Sequence, residues 1–184
     1  YRHSELQHSL SNNRIRSILE DANKNIWFAT DGGINKYNEA HDHFDVFHAV
    51  DKNGEHNTNW VYALVEDDDH FWVGSFLNGL HYVAKHQFKN EGGIVVADLS
   101  INTDTQNANG LKLANNLISN VIKDKHGNLW ILLFRDKTLT RYNLATKKMT
   151  PYNVYALTGG YPTHICLDKD GRIWCAYKGG VIVF

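Results

Sequence analysis

Four tryptophans recur within one phrase, and this recurrence restricts the possible folds of the 184-residue chain more than any other feature. The stretches Ile15–Trp27, Trp60–Trp72, Ile118–Trp130 and Pro162–Trp174 align so that an acid, Asp21, Glu66, Asp124 or Asp168, stands six residues before Trp27, Trp72, Trp130 or Trp174. An apolar residue directly precedes each of these tryptophans. The tryptophans lie 45, 58 and 44 residues apart, so the unit is about 44 residues with an insertion in the second interval. Each unit reads as an apolar strand, an Asp-x-x-Gly-type turn, a Trp-bearing strand, a Gly turn and a third strand ending in an aromatic. Gly32-Gly33 precedes Ile34 to Tyr37, Asn78-Gly79 precedes Leu80 to Tyr82, and Gly179-Gly180 precedes Val181 to Phe184. The third copy instead places Arg135-Asp136-Lys137 before Leu139 to Tyr142. Candidate fourth strands are Phe44 to Phe47, Ile94 to Ala97 and Met149 to Tyr152, the last with a proline that suits a sheet edge. Helical periodicity is not sustained for three turns anywhere. A four-stranded unit repeating every ~40–50 residues is the signature of a β-propeller.

The expected fold is therefore all-β, a propeller of four-stranded antiparallel blades, with about four blades in a single propeller segment over 1–184. The blade repeats fall at about 9–48, 57–100, 115–153 and 160–184, with an outer strand of a preceding blade at 1–3 and an insert at about 86–114. An apolar content of 42% can fill such a core. Nineteen Lys and Arg against 20 Asp and Glu leave no basic excess, so nucleic acid is not an expected partner. The apolar runs are far shorter than a membrane span, and no start methionine or leader stretch is present, so the chain reads as a soluble piece of a longer protein. Cys166 and Cys175 read as buried free thiols rather than a disulfide framework.

Tryptophans and acids that recur in phase suit packing between blades and tight turns, not a single active site. Asp168-Lys-Asp170-Gly171 and the run Glu66 to Asp69 lack the further acids of a calcium loop. His41-Asp42-His43 offers two imidazoles without a visible third ligand. No metal, no cofactor and no catalytic residue is expected, since neither nucleophile-elbow, zincin, P-loop nor dinucleotide motifs occur. Binding remains. The loops entering the inner strands and those joining second to third strands emerge on one face of a propeller. There the sequence places Arg14, Arg16, the stretch His56 to Trp60 with Asn57 and Asn59, the Phe76-Leu77-Asn78 turn, Arg135 to Lys137, and Tyr161, Thr163 and His164. Trp60 stands where the other copies carry Ile or Pro, and Arg135 to Lys137 stand where they carry Gly. Packing alone would have accepted the repeated residue, so such departures mark where a symmetric scaffold becomes specific. An aromatic ring flanked by amides and guanidinium groups suits a sugar. The competing reading is that Trp60 fills a wide gap between blades and the charges are solvated.

The phrase apolar-x-x-Ile-x-x-Asp-x-x-Gly-x-Leu-Trp, followed by Gly-Gly-Ile, resembles the two-component-regulator propeller repeat. Ser9 to Asn13 and Asn115-Asn116-Leu117 are similar to the family's lead into an inner strand. The resemblance spans nearly the whole chain outside the insert at 86–114. It implies an arc of a larger, seven-bladed propeller rather than a closed four-bladed disc, within the periplasmic sensor of a Bacteroides-type hybrid two-component system. It also implies an oligosaccharide ligand, a membrane-anchored parent whose histidine kinase lies elsewhere, and signalling through rearrangement of paired sensors. The segment itself would not be an enzyme. Uncovered blade faces would favour self-association as a dimer. Streptogramin lyases carry a similar phrase, and on that reading His164 or His56 would serve as acid or base with a metal ion. A third possibility is an adaptor propeller that presents a protein-binding face.

Overall fold

The computed structural model describes residues 1–5, 8–54, 59–89, 91–105 and 111–184. Among these residues, short β-branched and aromatic runs separated by Asp-, Asn- and Gly-bearing turns make sixteen strands. The first blade is β1 (Ile15–Glu20), β2 (Ile26–Thr30), β3 (Gly33–Asn38) and β4 (His43–Val50), paired antiparallel in sequence order. The second is β5 (Val61–Asp67), β6 (His70–Ser75) and β7 (Gly79–Ala84), after which β8 (Gly93–Val96) leaves the sheet and β9 (Leu99–Ile101) returns to it. The third is β10 (Ile118–Lys123), β11 (Asn128–Leu133), β12 (Thr138–Asn143) and β13 (Lys148–Asn153). One turn of helix, α1 (Val154–Thr158), leads to the three strands of the fourth, β14 (Pro162–Leu167), β15 (Ile173–Tyr177) and β16 (Gly180–Val183).

Three expectations change. Ile94 to Ala97 is not the fourth strand of the second blade. β8 adds to β4 in parallel, with Phe47 opposite Gly93 and Val50 opposite Val96, while β9 supplies the fourth strand beside β7. Gly92 makes the crossing possible: at φ +76, a Cβ there would lie 2.2 Å from the Val46 carbonyl oxygen. Residues 1–3 form no strand. The Tyr1 ring leans on Tyr37 and Phe44 at 5.6 and 5.2 Å, and the fourth sheet gains no N-terminal strand among the described residues. Cys166 is exposed, because it falls on the outward side of β14. Cys175 is buried, and burial pushes its thiol up to about 11. Both are free.

The core lies between the blades in three layers. Trp27, Phe47, Phe71 and Phe88 join the first blade to the second, Trp72, Leu80, Ile131 and Tyr142 the second to the third, and Trp130, Leu139 and Ile173 the third to the fourth. In each layer the repeated indole meets a ring of the next blade: Trp27 with Phe71 at 5.0 Å, Trp72 with Tyr142 at 5.9 Å, Trp130 with Phe184 at 5.9 Å.

Candidate functional site

The repeated acids are turn anchors of one design. In the first, third and fourth blades, one carboxylate oxygen of Asp21, Asp124 or Asp168 accepts two backbone N–H groups of the following turn. The other oxygen accepts the indole N–H of Trp27, Trp130 or Trp174 at 2.8–2.9 Å. In the second blade the indole of Trp72 donates to Asp67, at 3.0 Å, and not to Glu66. Glu66 instead accepts the Ala22 N–H of the first blade and the Lys85 ammonium, tying two blades together. The second copy is therefore shifted by one residue from the tryptophan-based alignment, because its turn of Asp68 and Asp69 is one residue shorter.

This shift corrects the place of Trp60. Every inner strand carries a β-bulge at one level, between Ile15 and Ser17, Val61 and Ala63, Ile118 and Asn120, and Pro162 and His164. Val61, not Trp60, thus fills the slot of Ile15, Ile118 and Pro162. The carbonyls of Arg14, Trp60 and Leu117 accept the N–H of Asp31, Phe76 and Phe134, which makes those three pairs equivalent. Three tiers follow at the mouth of the inner strands: Arg14, Trp60, Leu117 and Tyr161 before each strand, Arg16, Tyr62, Ser119 and Thr163 at the bulges, and Asp31, Phe76, Phe134 and Lys178 after the second strands. A bulge inserts a residue without a partner and re-aims its side chain. These tiers hold the residues that the repeat leaves free to differ.

On this face the side chains form a continuous ledge. Trp60 lies 6.1 Å from Phe76, Tyr62 stacks on Phe76 at 4.7 Å, and Phe76 meets Phe134 edge-on at 5.4 Å. Trp60, Phe134 and Tyr161 each remain 42% exposed. The Arg16 guanidinium covers the Tyr62 ring at 4.2 Å and is itself gripped by both oxygens of Asp31 at 2.7 Å. Those hydrogen bonds raise Arg16 further and hold Asp31 below the usual carboxylate range. Arg16 is therefore a neutralised prop under the ledge, and Arg14, 3.6 Å from Asp31, is the exposed cation of the pair. At the other end Arg135 lies over Phe134 at 5.3 Å, and Tyr155 on α1 stands against Tyr161 at 4.9 Å. A 200 Å³ cavity between the third and fourth blades is lined by Ser119, Phe134, Arg135, Tyr161 and Thr163.

The structure thus brings together Trp60, Arg16, Arg135 and Tyr161, with Arg14 at the rim. Asn59 is exposed beside Trp60. Asn57 and His56 lie outside the described residues. His164 is exposed in β14 opposite Ala176 and is not among the described residues that line this cavity. Tyr62, Phe134 and Tyr155 join the site without having been singled out in the sequence. No group of three metal-ligating side chains occurs on this face among the described residues.

The two-component-regulator propeller family model matches residues 9–32, the first inner strand with its turn and Trp27. The extracellular domain of BT4673 of B. thetaiotaomicron, described as a one-component or hybrid two-component system, superposes over 100% of this chain at a TM-score of 0.85 with 34% identity. The first blade thus matches the two-component-regulator propeller repeat, and the whole chain is similar to the BT4673 domain. It spans 24% of that domain, about a quarter. The extracellular domain of BT3049, a second system of this kind from the same organism, matches at a TM-score of 0.67 with 19% identity over 100% of this chain and 25% of its own. Virginiamycin B lyase of Staphylococcus aureus matches at 0.61 with 12% identity over 92% of this chain and 55% of its own, a likeness of fold alone. The curated proteins gave no match. Among the described residues, no helix is long and apolar enough to cross a membrane.

Proposed function

We propose that these blades belong to the ligand-sensing domain of a periplasmic receptor and that the ledge binds an oligosaccharide without chemically changing it. The observation that carries the proposal is the concentration of unlike residues in the three tiers of an otherwise repetitive scaffold. Exposed rings cover the apolar faces of sugars, while Arg14, Arg135 and Lys178 supply charged donors for hydroxyls and carboxylates. On the family resemblance drawn from the sequence, the parent would be a membrane-anchored hybrid histidine kinase whose sensors work as a pair. Sugar would favour one arrangement of that dimer through its differential affinity for the two arrangements.

A panel of neutral and uronic-acid oligosaccharides tests this by thermal shift and calorimetry. Trp60→Ala is expected to weaken the best binder about ten-fold or more. Its cost in stability should stay below about 1 kcal/mol, since the ring is 42% exposed. Unchanged affinity in that variant would remove the ledge from the site. Streptogramin incubated with the protein and magnesium should be recovered intact, and its loss would favour a lyase.

Arg135 separates recognition from stability. It lies in the turn between β11 and β12 at φ +55, in the left-handed region that favours glycine. A side chain in that left-handed region costs about 1 kcal/mol. Arg135→Gly should therefore leave the melting temperature unchanged or raise it slightly, while reducing the affinity for acidic sugars more than for neutral ones.

A further inference from the structure

We propose that His8, His43 and Asp45 form a zinc site that clips the stretch before the first blade to that blade's outer strand. His43 and Asp45 are two residues apart in β4 and so share one face of the strand. The third ligand comes from far away in sequence. The Phe44 N–H donates to the His8 carbonyl at 2.9 Å, which sets the His8 ring on that of His43 with centroids 4.4 Å apart. One ligand atom from each of the three residues lies within 4.8 Å of the others. His41 stacks on the outer side of His43 and is hydrogen-bonded to Asn38, so it is a neighbour and not a ligand.

Two observations point to a cation and not merely to an ion pair. His43 Nε2 and Asp45 Oδ1 are 3.3 Å apart, the separation of about 3.3 Å expected for two tetrahedral ligands each ~2.0–2.1 Å from zinc. The Asp45 side chain is only 1% exposed. Its Oδ1 accepts the Glu91 N–H at 3.1 Å, yet Oδ2 is buried with no hydrogen-bond partner among the described residues. The buried carboxylate thus has a donor on Oδ1 only, which leaves its charge poorly compensated, and a divalent ion held at Oδ1 by the two imidazoles would neutralise that charge. Two imidazoles and one carboxylate suit zinc, with a water as fourth ligand. His8 also holds φ +67, a strained backbone that coordination would help to fix. The site lies at the Asn38 end of the β3–β4 pair, the opposite end from Gly33 and the ledge. Its role is therefore structural, closing the chain between His8 and His43 into a loop.

Tag-free, metal-stripped protein titrated with zinc should bind one equivalent, and its melting temperature should rise with zinc concentration. Cobalt should give the visible absorption of a four-coordinate site and be displaced by zinc. His8→Ala, at an exposed position, should lower the zinc affinity about ten-fold or more without changing the metal-free melting temperature. His43→Ala should do the same to affinity, and His41→Ala should leave it unaltered. Absence of saturable zinc binding overturns the site. So does binding that survives His8→Ala unchanged, which would assign zinc to other histidines.

Discussion

Trp72→Ala is expected to cost about 3–5 kcal/mol in denaturant unfolding followed by circular dichroism. Trp72 is 2% exposed and fills the layer between the second and third blades, its ring tilted on Tyr82 of its own sheet and edge-on to Tyr142 of the next. Truncation removes those contacts and leaves a cavity that flat sheets cannot collapse into. It also strips the indole donor from Asp67, whose other oxygen is paired with the Lys123 ammonium across the same boundary. Against a total stability of about 5–15 kcal/mol, this is a large share. Trp72→Phe keeps most of the packing and loses the N–H, so it should cost less, about 1–3 kcal/mol. Trp174, which is only partly buried, should tolerate Ala better than Trp72. Trp60→Ala is the control. If it destabilises as much as Trp72→Ala, the repeated indoles are not what holds the blades together.

That contrast follows from what could and could not be read from the residues. Trp27, Trp72, Trp130 and Trp174 sit in register with their acids because one local geometry, a tight turn closed by a carboxylate and an indole, is written four times into contiguous residues. Local patterns of that kind survive in sequence. The one-residue shift of the second copy did not, because two adjacent acids, Glu66 and Asp67, both satisfy the pattern and only the shorter turn separates them. An alignment on the tryptophans therefore sets Trp60 in the slot that Val61 fills. The bulges at Arg16, Tyr62, Ser119 and Thr163 leave no mark in residue type, so the tiers that define the ledge were visible only once the strands were paired. Ile94 to Val96 has the composition of any blade strand, and its parallel pairing to β4 depends on Gly92 passing close to Val46. His8 stands 35 residues from His43, beyond the reach of any spacing argument.

Acid should unfold the protein through the same turns. Burial is the largest single influence on Asp21, Asp67 and Asp124 and pushes their carboxyls up, yet the hydrogen bonds they accept together outweigh it and leave all three below the usual carboxylate range. Asp168 is lowered as well, first by the Trp174 indole. A carboxyl whose folded pKa is depressed stabilises the fold at every pH above its unfolded value, about 3.9, and that stabilisation is lost as pH falls toward the folded value. Four such groups, one per blade, act in the same direction, so the melting temperature should be flat from neutral pH down to about 5 and then drop steeply. Asp124→Asn isolates one of them. The Asp124 carboxylate accepts the His126 and Asn128 backbone N–H groups, the Asn128 amide and the Trp130 indole. An amide in its place keeps one acceptor oxygen for the backbone but turns an N–H group toward the indole donor. The expected cost is about 2–3 kcal/mol at neutral pH. The gap between the two proteins should narrow as pH falls below ~4, where the unfolded carboxyl takes up its proton, and close further toward the lower folded value, where the native carboxyl is protonated too. Melting curves that stay parallel down to the acid limit would show that the charge on Asp124 is not what the turn requires.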